Sequence, residues 1–180
     1  MSQPFHVLKH EHRVIERALR ALDGICVRLS GGEDVPAEVL SETTEFLKSY
    51  VDGFHHSREE AGLFAALDER IGQRDSALAH IAQEHEIERR LLATMLRAVD
   101  ESRKGGMPSK ATFVEAAQKY TQHLTAHMEV EEAGFFKLAD EVLDEPDKQA
   151  LVAQFHSNAS NCSAERYVKL AAELEEKWAL

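Results

Sequence analysis

Residues 55–64 read HHSREEAGLF, and residues 127–136 read HMEVEEAGFF. Both stretches follow the pattern H-x-x-x-E-E-A-G-[L/F]-F, and the second begins 72 positions after the first (127 − 55). Residues i and i+4 of an α-helix lie on the same face, one turn apart. The spacing therefore predicts that His55 and Glu59 project side by side from one helix, and that the matching pair does so from another.

A shorter repeated motif precedes each of these stretches. Glu11-His12 and Glu84-His85 each lie in an amphipathic run, 73 positions apart (85 − 12). The chain therefore resembles two copies of one helical hairpin, in which an EH helix is followed by an HxxxEE helix. Because the repeat keeps polar residues on otherwise apolar faces, these polar residues are predicted to share one task.

The apolar periodicity predicts long helices and almost no strand. In the first helix the apolar face recurs in steps of three and four residues, as in a bundle, at Leu8, His12, Ile15, Leu19, Leu22, Cys26 and Leu29. The predicted helices cover residues 5–29, 37–69, 75–102, 109–140, 147–156 and 161–178. The predicted fold is all-α: an up-down-up-down four-helix bundle over residues 1–140, with extra C-terminal helices over 141–180 packed on it.

Composition excludes several classes of protein. The 180 residues are 43% hydrophobic, which fits one globular domain, and the formal charge of −11 argues against a nucleic-acid partner. No apolar run is long enough to span a bilayer, and the N-terminus lacks the features of a signal peptide, so no membrane partner is expected. Cys26 lies on an apolar stripe, which predicts a reduced core thiol and a cytoplasmic location.

The polar residues on the helix faces predict a metal site. Burying an ionised carboxylate costs many kcal/mol unless it is paired, and a buried imidazole also needs a partner. Buried glutamates and histidines with no matching buried Lys or Arg are best satisfied by cations, and mixed nitrogen and oxygen ligands suit iron, with zinc or manganese as substitutes. A ferritin-like di-iron protein needs Glu-x-x-His on two helices, and the chain contains no such motif.

These motifs, taken in order, resemble the hemerythrin family in its bacterial HHE cation-binding branch, over about residues 5–140. The resemblance implies two iron ions bridged by the two glutamates and by an oxo or hydroxo group, with the ligands His12, His55, Glu59, His85, His127 and Glu131. Oxygen-carrying members have a further histidine one turn before the third-helix ligand, where this chain has Ile81, and they use His-x4-Asp in the fourth helix. Both departures favour the sensing and iron-repair branches over reversible oxygen carriage.

The sequence pattern does not decide the roles of four residues near the predicted ligands. His123, one turn before His127, is interpreted as a ligand, as a hydrogen-bond partner of a ligand or as part of an access path. His56 is adjacent to a predicted ligand but rotated away from it. Glu60 and Glu132 point about 100° further round than the predicted glutamate ligands, which favours contact with the ligands or a surface position.

The leading functional hypothesis is a non-heme di-iron protein that binds or reacts with a small diatomic or peroxide (O2, NO or H2O2), in sensing, detoxification or oxygen binding. The alternative is metal handling, in which the protein stores, senses or donates iron without gas chemistry. A third hypothesis is a metal-free helical interaction module. The charged C-terminal helix is compatible with packing on the bundle, on a second copy in a homodimer, or against a redox partner.

Overall fold

A computed structural model describes residues 2–71, 76–103, 110–159 and 164–180, and these residues form helices and contain no strand. The α-helices are α1 Gln3–Ser30, α2 Ala37–Phe46, α3 Ala65–Ile71, α4 Ser76–Arg103, α5 Lys110–Val130, α6 Phe136–Val142, α7 Glu145–Ala159 and α8 Ala164–Trp178. Three π-helical segments, in which hydrogen bonds span one residue more than in an α-helix, cover Leu47–His56, Glu59–Phe64 and Glu131–Phe135. The all-helical prediction is confirmed.

Residues 37–71 and 110–142 are each helical without interruption, because the π-helical segments continue the flanking α-helices. Both HxxxEE motifs overlap these π-helical segments. π-Helical turns inside α-helices are frequently found at functional sites. Residues 72–74 and 105–108, which fall between the predicted helices, lie outside the described residues, as does Cys162.

The long helices pack along one another, with α4 against α5 and α1 against α5 and α8. All seven residues predicted for the buried face of α1 are buried, and Cys26 is a free thiol there, as predicted. The C-terminal helix α8 is fixed to α1 by the Glu175 carboxylate, which accepts hydrogen bonds from Arg17 and Arg20. No helix in the described parts of the chain is long and apolar enough to cross a membrane.

The core is divided into two apolar clusters. One contains Ile15, Val51, Leu92 and Leu124, and the other contains Leu8, Leu63, Ile81 and Phe135. Four long helical segments, which we call the four helical rods, are α1, residues 37–71, α4 and residues 110–142. Each rod contributes residues to both clusters, including one of the four named for each, and its predicted ligands lie between these two named residues in the sequence. The fold therefore places a layer of histidines and glutamates between two apolar layers.

Candidate metal centre

The structure brings together all six predicted ligands, and none of them has side-chain surface exposed to solvent. Their donor atoms form two groups of four, each within 4.8 Å of one another. One group is His12, His55, Glu59 and Glu131, and the other is Glu59, His85, His127 and Glu131. The two glutamates belong to both groups, so the arrangement has the form of a two-cation site with shared carboxylates.

Each shared glutamate directs its two oxygens to different histidines. Glu59 Oε1 lies 3.7 Å from His55 Nε2, and its Oε2 lies 3.4 Å from His85 Nε2. Glu131 repeats this geometry, with Oε1 3.4 Å from His127 Nε2 and Oε2 3.2 Å from His12 Nε2. Both carboxylates therefore span the two groups, which is the geometry of a bridging ligand.

A second set of carboxylates holds the histidine rings from behind. Each Nδ1 donates a hydrogen bond to a glutamate on a different helical rod. The histidines of the second, third and fourth rods use the rod before them in the sequence, and the histidine of the first rod uses the fourth. The pairs are His12 with Glu132 at 2.9 Å, His55 with Glu11 at 2.9 Å, His85 with Glu60 at 2.8 Å and His127 with Glu84 at 3.0 Å. A proton fixed on Nδ1 leaves the Nε2 lone pair directed at the centre, as in metal-binding histidines.

Most of the atoms that face the centre have no hydrogen bond; the exceptions are Nε2 of His85 and Nε2 of His127, which lie 3.2 Å apart. Nε2 of His12 and of His55, and all four carboxylate oxygens of Glu59 and Glu131, are buried without a hydrogen-bond partner. Buried polar groups are almost always paired, and an unpaired one costs about 1–3 kcal/mol or more if charged. The residues present therefore fit a pair of divalent cations, which would satisfy every one of these atoms.

The pKa values within the buried cluster shift in both directions. Against the effect of burial, nearby glutamates raise the pKa of His55 and raise the pKa of His85 to about 9. Burial, followed by the proximity of Glu59, raises the pKa of Glu131 well above its usual value. Burial and the nearby His55 lower the pKa of His12 to about 3, so its Nε2 keeps the lone pair that a metal requires. Cations that bind here are expected to displace protons.

Arg58, within the first HxxxEE motif, is a buried cation beside the site. Its guanidinium donates to the Glu11 carboxylate and to the backbone oxygen of Phe155 at 2.5 Å, and it lies 3.9 Å from the ring of Phe54. Since Glu11 in turn accepts from His55, Arg58 fixes the carboxylate that orients a predicted ligand.

Sequence reasoning found the six central residues but missed part of their surroundings. The predicted contact role of Glu60 and Glu132 agrees with their hydrogen bonds to ligand histidines. The roles of Glu11 and Glu84 were missed, although the repeated EH doublet was the signal that could have identified them.

His56 is the larger surprise, because it is buried and stacks on His85 with ring centroids 3.9 Å apart. A π-helical turn contains more residues than an α-helical turn, so successive side chains are separated by less than the α-helical 100°. His56, at the end of such a segment, therefore turns inward. His123 remains partly exposed and hydrogen-bonds Glu88 rather than a predicted ligand.

Comparisons were made with curated proteins, with solved structures and with models of protein families. No curated protein and no solved structure matches the chain. A family model, the hemerythrin HHE cation binding domain, matches residues 3–139. This range includes all six predicted ligands and the four glutamates behind the histidines. The chain therefore belongs to the hemerythrin family, with an HHE cation-binding domain.

Proposed function

We propose that this chain is a non-heme di-iron protein that binds or reacts with a small oxidant or gas: O2, NO or H2O2. The observation that carries the proposal is the pair of buried four-donor groups that share Glu59 and Glu131, whose four carboxylate oxygens have no hydrogen-bond partner. The proposed ligands are His12, His55, Glu59, His85, His127 and Glu131. Mixed nitrogen and oxygen donors without thiolate favour iron, with zinc or manganese as substitutes.

Two iron ions, when bound, supply the electrons and vacant coordination positions that such a reaction requires. The protein supplies the surroundings. Phe136 stacks on His12 at 5.6 Å and Phe64 stacks on His85 at 5.7 Å, so apolar rings cover two of the imidazoles. Ile81, where oxygen carriers have a further histidine, belongs to the apolar layer. These side chains exclude water from the centre and hold the imidazoles in place.

The proposal includes the organisation of the chain. We assign the metal-binding unit to residues 1–140, as an up-down-up-down four-helix bundle, and a C-terminal helical extension to residues 141–180. The hydrogen bonds of Glu175 to α1 support packing of this extension on the bundle. The buried free thiol of Cys26 supports a reducing compartment such as the cytoplasm.

Metal analysis and gas titration test the proposal. The protein, purified and loaded with iron(II) without oxygen, is expected to contain two irons per chain and to change its visible absorption with at least one of O2, NO and H2O2. His127→Leu should lose iron. His80→Leu removes an exposed histidine that contacts Glu84 and is the matched control. If the protein binds two irons but its absorption changes with none of the three reagents, the proposed gas chemistry is wrong and the proposed metal site stands.

A second candidate function, iron storage, sensing or donation, is favoured by one observation. A line of metal-binding side chains leads from the surface toward the cluster: His123 is 25% exposed and contacts Glu88, which is 1% exposed and lies 3.3 Å from His56. Such a line provides successive stopping points for a cation. Transfer of iron to a metal-free acceptor protein, slowed in His123→Leu, would favour this function over gas chemistry.

A further inference from the structure

His56 is a buried imidazole that the six proposed ligands leave unexplained. Its side chain is 1% exposed, and neither ring nitrogen has a hydrogen-bond partner. One of its nitrogens lies within 4.8 Å of ring nitrogens of His85 and His127, and these three histidines form a group of potential metal ligands by themselves. A buried donor that has no hydrogen bond and lies this close to two other donors favours a missing cation over simple packing.

Glu88 places a buried carboxylate beside His56, at Nε2 rather than at the Nδ1 that the proposed histidine ligands use. Its Oε2 lies 3.3 Å from His56 Nε2, and its side chain is 1% exposed. The other ring nitrogen, Nδ1, is 3.8 Å from Asp52 Oδ1, which is beyond hydrogen-bond distance. With the Glu88 carboxylate beside Nε2, Nδ1 is the nitrogen of His56 that we assign to the metal ion.

The internal repeat supplies a comparison within the same chain. Met128 in the second copy corresponds to His56 (56 + 72), and Ile15 in the first copy corresponds to Glu88 (88 − 73). Both counterparts are buried, so packing at these positions is satisfied by an apolar pair. A buried polar pair costs free energy that an apolar pair does not. The pair of His56 and Glu88 therefore has a role beyond filling space, and it has this role in only one half of the molecule.

We infer that His56 is a third imidazole ligand of the metal ion bound by His85 and His127. The inference rests on the proposed metal site and deepens it. The two metal positions are then inequivalent, with three imidazoles at one and two, His12 and His55, at the other. Helix α4 offers no nitrogen one turn before His85, because Ile81 occupies that position in the apolar layer. The third imidazole comes from the second helical rod instead.

The first test compares two variants with the wild-type protein, all loaded with 57Fe(II) without oxygen and studied by Mössbauer spectroscopy and chelator competition. His56→Phe keeps an aromatic ring against His85 but removes both nitrogens. We expect it to change the spectrum of one iron and to weaken that iron's binding at least about tenfold, with the other iron unaffected. His156→Phe, which alters an exposed histidine outside the groups of potential metal ligands, is the control and should change neither iron.

The second test detects direct coordination. In His56→Ala, 15N-imidazole should restore the wild-type iron spectrum, and pulsed EPR of the one-electron-oxidised protein should show a 15N coupling to iron. This variant also replaces His56→Phe if the latter fails to fold. Unchanged iron spectra in His56→Phe, or no 15N coupling after imidazole is added to His56→Ala, would overturn the assignment of His56. The proposed function would still stand if the protein bound two irons. Fewer than one iron per wild-type chain would remove the proposed function and the assignment with it.

Discussion

Replacing Glu11 by glutamine separates two effects that the structure predicts for one carboxylate. Glu11 accepts a hydrogen bond from His55 Nδ1 at 2.9 Å and also from the buried guanidinium of Arg58. Its counterpart in the repeat, Glu84, accepts from His127 Nδ1 at 3.0 Å. Glu84 also contacts His80, whose side chain is 60% exposed. Glu84→Gln therefore serves as a matched control without a buried arginine.

The magnitudes follow from these contacts. Loss of the carboxylate behind a metal-binding histidine lowers metal affinity about 10–100-fold, or roughly 1.4–2.7 kcal/mol, and both variants should show this loss. Glu11→Gln also leaves Arg58 buried without a counter-charge, which costs about 3–5 kcal/mol when nothing replaces it. Since the glutamine carbonyl and the Phe155 oxygen still accept hydrogen bonds from the guanidinium, we expect Glu11→Gln to lower the free energy of unfolding by about 3 kcal/mol. In Glu84→Gln the free energy of unfolding should fall by about 1 kcal/mol or less.

Two assays measure the two effects. Urea unfolding of the metal-free proteins, followed by circular dichroism, gives the free energy of unfolding. Competition for iron(II) with a chromogenic chelator gives the metal affinity. The reasoning would be refuted if the two variants were destabilised equally, or if both bound iron as tightly as the wild-type protein.

The remaining predictions concern regions away from the metal centre. Burial and then Asp23 raise the pKa of Cys26 to about 12, so in Cys162→Ser this thiol should react with a disulfide reagent at pH 8 about a thousandfold more slowly than when unfolded. Gly24→Ala should cost about 1–3 kcal/mol in urea unfolding, because its Cβ would lie 1.8 Å from the backbone oxygen at the end of α8, whereas Gly134→Ala meets nothing within 4 Å and should not destabilise. Hydrogen bonds from the α1 arginines lower the pKa of Glu175 below its usual value of 4.5. The ionised Glu175 carboxylate therefore stabilises the folded protein fully above about pH 4.5, and this stabilisation is lost as the pH falls through the lowered pKa. Pepsin should therefore release α8 more readily from about pH 5 to pH 3 in the wild type, with a weaker pH dependence in Glu175→Gln.

Much of the core of the metal centre could be predicted because its information is local. His55 and Glu59 are four residues apart in one helix, so their shared face follows from helix geometry alone. The apolar neighbours of His12 at the same helical spacing placed it on the buried face of α1, and it is fully buried. The repeat then indicated that the second half contributes the same kind of side chains.

Contacts between helices could not be predicted in the same way. Which carboxylate reaches His55 depends on the rotation and axial shift of α1 against the second rod, and a small change in either would replace Glu11 with a neighbour. Arg58, which a surface position would also have suited, is buried because Glu11 and Phe155 come from other helices to meet it. Neither partner is near it in the sequence.

The sequence by itself determined which side chains face inward in each helix, because that depends on a repeating angle along one chain. The tertiary structure decided which carboxylate supports which histidine, because those pairs join different helices. It also decided the place of His56, since a π-helical turn changes the angle between neighbours and its hydrogen-bond pattern is not visible in the residue spacing.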